Sequence, residues 1–245
     1  MTVALHPILD GIDLVVFDKD GTLISFEAMW GGWARDLGTR LEIATRRPVA
    51  GDVFTTIGFD PTTNRVLAGG PLAVASMGEL AELVGAVLRR WCPSVNAARR
   101  ILAEAWFEPD PVERAVPLAD LAAVFSALRR AGRRIAVATT DDRRPTVATL
   151  AGLGLIDDVE AIACGDDDGP VKPDPAVLTG IAARLGIPVE RTAMVGDTPA
   201  DLRMAHAAGA RAIGVASGVG SIVELAPDAD VVVESIGTLV GPASR

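Results

Sequence analysis

The sequence contains few residues of several kinds, and each shortage excludes a class of protein. Of its 23 basic residues only Lys19 and Lys172 are lysine, and only Cys92 and Cys164 are cysteine. Two cysteines so far apart have neither metal-site spacing nor the number found in disulfide scaffolds, so we expect reduced thiols. No apolar run approaches the roughly 20 residues of a membrane helix. A disulfide-rich or membrane-spanning protein is therefore not expected.

Positive charge is also in short supply. Acidic residues number 32 against 23 basic ones, and the net charge of −9 argues against a nucleic-acid or anionic-membrane partner. The segment "MTVALHPILDGID" lacks the basic start of a signal peptide, so we expect a cytoplasmic protein. The 245 residues, 49% hydrophobic, are enough for one large domain or a domain with a smaller insert.

From about residue 112 onward, short apolar runs alternate with helix-like runs. The predicted strands are Leu14–Phe17, Arg134–Thr139, Val159–Ala163, Thr192–Gly196, Arg211–Val215 and Asp230–Val233. The predicted helices are Leu118–Ala131, Arg143–Leu150, Pro175–Leu185 and Pro199–Ala208. Continuous apolar strands that alternate with helices indicate an α/β fold, with a doubly wound, mainly parallel sheet covered on both faces.

Residues 25–111 interrupt this alternation, and we predict that they form a separate, mainly helical domain inserted after the first strand. Residues 1–24 and 112–245 then make up the α/β domain. The predicted helices of the insert are Glu27–Arg46, Gly78–Arg90 and Ser94–Phe107, with a hairpin-like segment around Thr55–Leu72. All four tryptophans lie in the insert, which indicates a small core of its own.

Polar residues follow several of the predicted strands. In an open parallel sheet, ligands bind beyond the carboxyl ends of the strands, so these side chains are expected to share one edge. They are Asp18, Asp20, Thr139, Thr140, Lys172, Asp197 and Asp201.

The chemistry of this set is coherent. Clustered carboxylates repel one another and need a cation, and oxygen ligands suit Mg²⁺. A carboxylate can also attack phosphorus to form an aspartyl-phosphate. The charge on the transferring phosphoryl group then needs an ammonium and hydrogen-bond donors, which Lys172 and the threonine hydroxyls can supply.

Four segments carry a resemblance to a known family. "DKDGT" at 18–22, a threonine that closes the next strand, "VKPDP" at 171–175 and "VGDTPADLRMA" at 195–205 resemble, in order, the motifs of the haloacid dehalogenase superfamily. The likeness is to its phosphatase branch, and to phosphoglycolate phosphatase-like members in particular. It implies a Rossmann-like core and covers residues 12–24 and 112–233.

The resemblance implies a role for each matching residue. Asp18 would be the nucleophile, and Asp20 would protonate the leaving oxygen and later activate water. Thr139 and the backbone around Thr140 would hold the phosphoryl group. Lys172 would neutralise the charge of the nucleophile and of the phosphate.

The resemblance also implies a metal site and a cap. Mg²⁺ would lie between Asp18, the backbone carbonyl of Asp20, and Asp197. The insert would be the helical cap that closes over the substrate and excludes water. The expected partner is a small phosphorylated metabolite; whether the protein is a monomer or a homodimer stays open.

Several other residues have simpler interpretations. Thr198, Pro199 and Asp201 resemble a helix cap, so Asp201 either only caps a helix or also supports the metal site. Lys19 is expected to point away from Asp18 and Asp20 in a structural or solvated role, and Asp166, Asp167 and Asp168 to form a solvated acidic loop. In the insert, core packing and solvated charge explain Trp30, Trp33, Arg35 and Arg40 more simply than substrate contact.

Three alternatives to a phosphatase remain. A sugar phosphomutase of the β-phosphoglucomutase type shares the motifs and differs in cap residues that the sequence does not identify. A dehalogenase needs no metal and lacks the second motif aspartate, so Asp20 and Asp197 argue against it. A non-catalytic binding protein on the same fold would be expected to have lost Asp18 or Lys172.

Overall fold

The computed structural model describes residues 3–67 and 69–242, which fall into two compact units. Unit 1 is built from the residues up to Ser25 and from Pro111 onward, and unit 2 is Phe26–Asp110. Within the described residues, the helices are all too short or too polar to cross a membrane.

The structure contains strands and helices in the following order along the chain. The strands are β1 (Val3–Leu5), β2 (Leu14–Phe17), β3 (Phe59–Asp60), β4 (Arg65–Val66), β5 (Arg134–Ala138), β6 (Ala161–Ala163), β7 (Thr192–Gly196), β8 (Arg211–Val215), β9 (Val231–Val233) and β10 (Val240–Pro242). The helices are α1 (Gly32–Thr45), α2 (Ala50–Ile57), α3 (Pro71–Val74), α4 (Met77–Trp91), α5 (Val95–Ala105), α6 (Leu121–Arg130), α7 (Arg143–Gly152), α8 (Ala176–Arg184), α9 (Pro199–Ala208) and α10 (Ile222–Leu225).

A six-stranded parallel sheet forms the centre of unit 1, in the order β6-β5-β2-β7-β8-β9. Strand β2 lies between β5 and β7, and Phe17 is level with Val137 and Val195. All four residues of β2 are buried because both faces of the sheet are covered. On one side Val16 belongs to a core cluster with helices α8 and α9; Phe17 stacks on Phe125 of α6 with ring centroids 5.4 Å apart.

The predicted α/β class with its mainly parallel sheet is confirmed. Most strands and helices of unit 1 lie within one or two residues of the prediction, but the interval Leu118–Ala131 begins three residues later, at Leu121. The sequence did not indicate the small antiparallel sheet of β1 and β10, in which Leu5 pairs with Val240. Strand β10 has the sequence "VGP", and glycine and proline are depleted in strands.

Unit 2 contains helices α1 to α5 and the two-stranded hairpin β3–β4. The predicted helix Glu27–Arg46 begins as a π-helical turn, Glu27–Gly31, and continues as α1. Helix α2 was not predicted, and its residues fall partly in the segment expected to be hairpin-like. The hairpin itself lies inside that segment, with Phe59 opposite Val66.

An aromatic cluster fills the interior of unit 2. The Trp33 ring meets Trp30 and Trp106 edge-on, with centroids 6.0 and 5.3 Å away, and its indole N–H donates to the Phe107 carbonyl at 2.8 Å. The guanidinium of Arg40 lies 3.8 Å from the centroid of the Phe107 ring. Packing within unit 2 therefore accounts for these side chains.

Candidate active site

Three adjacent strands of unit 1 deliver polar side chains at their carboxyl ends. Asp18 follows β2, Thr139 follows β5 and Asp197 follows β7. The Asp18 amide continues the ladder by donating to the Val195 carbonyl at 2.9 Å, and the Thr139 amide donates to the Ala163 carbonyl at 3.0 Å. The sheet therefore fixes the backbone from which these residues project.

A tight turn after β2 brings Asp18 and Asp20 to this edge. The Lys19 carbonyl accepts hydrogen bonds from the amides of Leu23 and Ile24, and the Gly21 amide donates to the Ile24 carbonyl at 2.7 Å. Gly21 has a φ of +87°, which glycine adopts without strain. A Cβ here would also overlap the carboxylate of Asp197, so the turn packs directly against that residue.

Lys172 joins two of the carboxylates. Its Nζ lies 2.6 Å from Oδ1 of Asp18 and 2.5 Å from Oδ1 of Asp201, and it donates to the Ala138 carbonyl at 3.3 Å. Burial alone would lower the pKa of Lys172, but the two carboxylates raise it above its ordinary value. Burial raises the pKa of Asp18 to about 6, although Lys172 acts in the opposite direction. The ammonium is therefore charged and held against Asp18.

Asp197 is completely buried in a cradle of backbone. Its Oδ2 accepts the Val219 amide at 2.8 Å, and its Oδ1 lies 3.4 Å from the Thr22 hydroxyl. A Cβ at Gly218, like one at Gly21, would overlap Oδ2. Burial, together with the nearby charges of Asp18 and Asp201, raises the pKa of Asp197 well above its ordinary value.

Asp201 caps its helix and also contacts the site. The Thr198 hydroxyl accepts the Asp201 amide at 3.3 Å, so Thr198 begins α9 as predicted. The same hydroxyl donates to Oδ2 of Asp201 at 2.6 Å, while Oδ1 of Asp201 meets Lys172. Asp201, 1% exposed, thus does more than support the start of a helix.

The three carboxylates of Asp18, Asp197 and Asp201 form a cluster that is suited to bind a cation. One oxygen from each of Asp18, Asp197 and Asp201 lies within 4.8 Å of the other two. Three buried carboxylates with a single ammonium leave an excess of negative charge that a divalent cation would neutralise, and an all-oxygen set suits Mg²⁺. The side chain of Asp20 is not in this group; the ligand implied for that residue is its backbone carbonyl.

Lys19 corrects one expectation. Instead of pointing away from both aspartates, its Nζ lies 2.6 Å from Oδ2 of Asp20 and 2.9 Å from Oδ2 of Asp141. Strand β2 ends at Phe17, so the alternation of side chains no longer holds in the turn. Burial raises the pKa of Asp20 to about 7 in spite of Lys19. Asp141 was missed because nothing distinguishes it from an ordinary polar loop residue in the sequence.

The two threonines differ in their surroundings. Thr139 is buried, and its Oγ1 accepts the Asp141 amide at 3.2 Å. Because that oxygen acts as an acceptor, the hydroxyl proton stays available for another acceptor. Thr140 is exposed. The sequence-based preference for the Thr139 hydroxyl as the phosphoryl ligand stays a prediction.

The acidic loop after β6 is more ordered than expected. Both carboxylate oxygens of Asp167 bind the Arg143 guanidinium, at 2.7 and 2.5 Å, and Asp166 accepts the Arg143 amide at 2.7 Å. These two residues are thus not merely solvated. Cys164 lies close to both, but burial raises the pKa of its thiol to about 11, and the carboxylates are already bound to Arg143. This second group is a poor metal site.

Comparisons with known proteins identify the family to which the chain belongs. The sequence model of the haloacid dehalogenase-like hydrolases matches residues 12–209. A phosphoglycolate phosphatase of Rhodospirillum rubrum is 38% identical over 105 residues, 43% of this chain and 44% of that protein. The phosphoglycolate phosphatase of Agrobacterium fabrum is 29% identical over 241 residues, 92% of this chain and 90% of that protein.

A solved structure, described as a predicted phosphoglycolate phosphatase from Haemophilus somnus, has a similar fold. The TM-score is 0.64 at 19% identity, covering 93% of this chain and 96% of the other. The fold and the family match together define the class: the chain belongs to the haloacid dehalogenase-like hydrolases. The sequence-based expectation of an enzyme of this family, of the phosphatase type, is confirmed.

Proposed function

We propose that the protein is a Mg²⁺-dependent phosphatase that hydrolyses a small phosphomonoester through an aspartyl-phosphate on Asp18. One observation carries the proposal. Asp18 is held by the Lys172 ammonium at 2.6 Å and has a carboxylate oxygen within 4.8 Å of those of Asp197 and Asp201. A carboxylate in this position is anchored and charge-balanced for attack on phosphorus.

In the first step, a carboxylate oxygen of Asp18 forms a bond to phosphorus while the bond between phosphorus and the ester oxygen breaks. Lys172 neutralises charge on the phosphoryl oxygens, and the Thr139 hydroxyl donates to one of them. The leaving oxygen takes a proton from Asp20. A pKa raised to about 7 keeps a substantial fraction of Asp20 protonated near neutral pH, as a general acid requires.

In the second step, Asp20 works in reverse. Its carboxylate, now deprotonated, takes a proton from a water molecule as that water attacks phosphorus. The bond between phosphorus and Asp18 breaks, inorganic phosphate leaves and the Asp18 carboxylate is restored. Asp20 then carries the proton needed for the next cycle.

The metal ligands in this proposal are Asp18, the carbonyl of Asp20, and Asp197, with the Asp201 carboxylate close enough to assist. Bound Mg²⁺ would stabilise the charge that develops on the phosphoryl oxygens. The backbone around Asp197 supports this assignment, because glycines at 21 and 218 leave room for its carboxylate and nothing larger.

The substrate proposed is a phosphoglycolate-like phosphomonoester, on the strength of the relatives named above. Unit 2, Phe26–Asp110, is proposed as the cap that the family resemblance implies. A small charged metabolite as substrate also agrees with the proposed cytoplasmic location.

The test is phosphate release from a panel of phosphorylated metabolites that includes phosphoglycolate, in Mg²⁺ and in EDTA. Asp18→Asn serves as the variant without a nucleophile, and Asp228→Asn, in the exposed pair with Arg203, as the matched control. We expect metal-dependent release that is lost in Asp18→Asn and kept in Asp228→Asn. Release by Asp18→Asn at the wild-type rate would refute the nucleophile.

A sugar phosphomutase is the alternative that this panel must separate. A mutase would isomerise a hexose phosphate without net release of phosphate, whereas the proposed enzyme releases phosphate and leaves no isomerised product. Isomerisation in the absence of hydrolysis would overturn the proposal.

A further inference from the structure

A buried ammonium bridges two carboxylates beside the proposed nucleophile. Lys19 is 1% exposed, and its Nζ contacts Oδ2 of Asp20 at 2.6 Å and Oδ2 of Asp141 at 2.9 Å. A buried charge without partners costs several kcal/mol, so the two carboxylates are what keep the ammonium at this position. None of the four family motifs accounts for Asp141.

The contact with Lys19 fixes the orientation of the Asp20 carboxylate. Oδ2 of Asp20 forms an ion pair with the Lys19 ammonium. Its other oxygen, Oδ1, is buried and accepts no hydrogen bond from residues 3–67 or 69–242, the part of the chain that the structure describes. One oxygen is therefore anchored, and the other is kept free to give and take a proton.

Asp141 is itself firmly anchored. Its amide donates to Oγ1 of Thr139 at 3.2 Å, and its carbonyl accepts the Gly165 amide at 2.8 Å. It follows β5, the neighbour of β2, so the bridge from Asp141 through Lys19 ties the loops after two adjacent strands together. Asp141 remains 20% exposed at its side chain, which makes it a tolerant site for substitution.

We propose that Lys19 and Asp141 are positioning residues that hold the Asp20 carboxylate in the orientation for proton transfer to the leaving group. This inference rests on the proposed function, in which Asp20 is the general acid and then the general base. Lys19 binds Asp20 directly, and Asp141 acts through Lys19. Neither residue needs to touch the substrate.

A purely structural role for the same bridge predicts a different kinetic pattern. If the bridge only stabilised the fold, its loss would slow every substrate equally. If it positions the acid, its loss matters in proportion to how much the leaving group needs a proton. An alkoxide is a poor leaving group and needs one, whereas para-nitrophenolate leaves without help.

The experiment compares kcat/KM for an alkyl phosphate and para-nitrophenyl phosphate in wild type and in Asp141→Asn. The control is Glu160→Gln, which removes a charge from the exposed pair of Glu160 with Arg134 at 2.5 Å in the same unit. The parameter kcat/KM is used because it depends only on the reaction steps up to departure of the leaving group. A burst of para-nitrophenolate separately reports the hydrolysis of the phosphorylated enzyme.

We expect kcat/KM for the alkyl phosphate to fall about 10²-fold in Asp141→Asn, the share typical of a general acid. For para-nitrophenyl phosphate we expect kcat/KM to fall less than about threefold, since no proton is needed. For this substrate kcat and KM should fall together, and a burst should appear because Asp20 is also needed in the second step. Glu160→Gln should behave as wild type with both substrates.

An equal fall for the two substrates, or no fall with either, overturns the positioning role while leaving the phosphatase proposal intact. The phosphatase proposal fails separately if wild type hydrolyses neither ester, or if Asp18→Asn hydrolyses both. The double variant Lys19→Met with Asp141→Asn removes the ammonium together with one of its anions and leaves the net charge unchanged. It should show the same selective loss, and its far-UV circular dichroism checks that it folds.

Discussion

Replacing Asp197 by asparagine should make the metal-free protein more stable. The change removes one of three negative charges that lie close together around a single ammonium. It also preserves the local hydrogen bonds. The asparagine carbonyl oxygen can accept the Val219 amide, and its amide group can donate to the Thr22 hydroxyl, which is 3.4 Å from Oδ1 in the wild type.

The size of the effect follows from the distances. Two like charges no more than 4.8 Å apart repel by about 3 kcal/mol at an effective dielectric constant of about 20. Asp197 faces two such charges, Asp18 and Asp201, and one opposing charge, Lys172. One uncompensated repulsion remains, so the free energy of unfolding in EDTA at pH 8 should rise by about 2–3 kcal/mol. For a chain of this length that is roughly 5–10 °C in Tm.

The assay is thermal unfolding followed by far-UV circular dichroism at pH 8, with EDTA or with Mg²⁺. Wild type should gain stability from Mg²⁺, by about 1.4 kcal/mol at tenfold excess over Kd, because the cation binds only the folded carboxylates. Asp197→Asn should start higher in EDTA and gain little or nothing from Mg²⁺. Asp228→Asn, which changes an exposed pair, should follow the wild type in both conditions.

Two results would refute this reasoning. If Asp197→Asn were less stable than wild type in EDTA, the Asp197 carboxylate would be stabilised by its surroundings rather than opposed by them. If the variant kept the full response to Mg²⁺, the cation would bind elsewhere. Either result would remove the basis for placing a metal at Asp18 and Asp197.

Three further predictions rest on the same site. Burial raises the pKa values of Asp18 to about 6 and Asp20 to about 7, so between about pH 4 and 7 the folded state binds more protons than the unfolded state. The Tm in EDTA should therefore fall from pH 5 to pH 8, and a rise in Tm would contradict the pKa shifts. Lys172→Met leaves the buried carboxylates of Asp18 and Asp201 without their shared ammonium, and kcat in a phosphatase assay should fall by about 10²-fold or more. A variant with wild-type activity would exclude Lys172 from the reaction. Gly218→Ala places a methyl group against Oδ2 of Asp197 and should weaken Mg²⁺ binding in a calorimetric titration. The control is Gly180→Ala, because Gly180, like Gly218, lies outside the left-handed region and its Cβ would meet no atom within 4 Å.

Much of unit 1 could be predicted because its strands are buried on both faces. The run that became β2 is continuously apolar, and those of β5 and β7 are free of polar side chains after their first residue; each is followed by the polar residue that the structure places at the site edge. Helix α2 in unit 2 was not predicted, because its local sequence does not favour a helix. Its sequence, "AGDVFTTI", is rich in β-branched residues, which are typical of strands, and only packing within the unit decides in favour of a helix.

The site shows where sequence patterns stop being informative. Asp18, Asp197 and Lys172 stand in recognisable motifs, and the structure brings them together. Lys19 and Asp141 meet only because β2 and β5 are neighbours in space, more than a hundred positions apart in sequence. A single sequence carries no signal for such a pair, and the alternation rule failed for Lys19 because it lies past the end of its strand.

The location of all four tryptophans in one unit allows the unfolding of that unit to be followed by fluorescence, separately from the far-UV signal of the whole chain. The chain has no tyrosine, and its four tryptophans, Trp30, Trp33, Trp91 and Trp106, all belong to unit 2. Indole fluorescence therefore reports on that unit alone, whereas far-UV ellipticity sums the helices and strands of both units. Melting curves recorded at the two wavelengths on one sample will coincide if the units unfold in one transition, and will separate if one unit melts before the other.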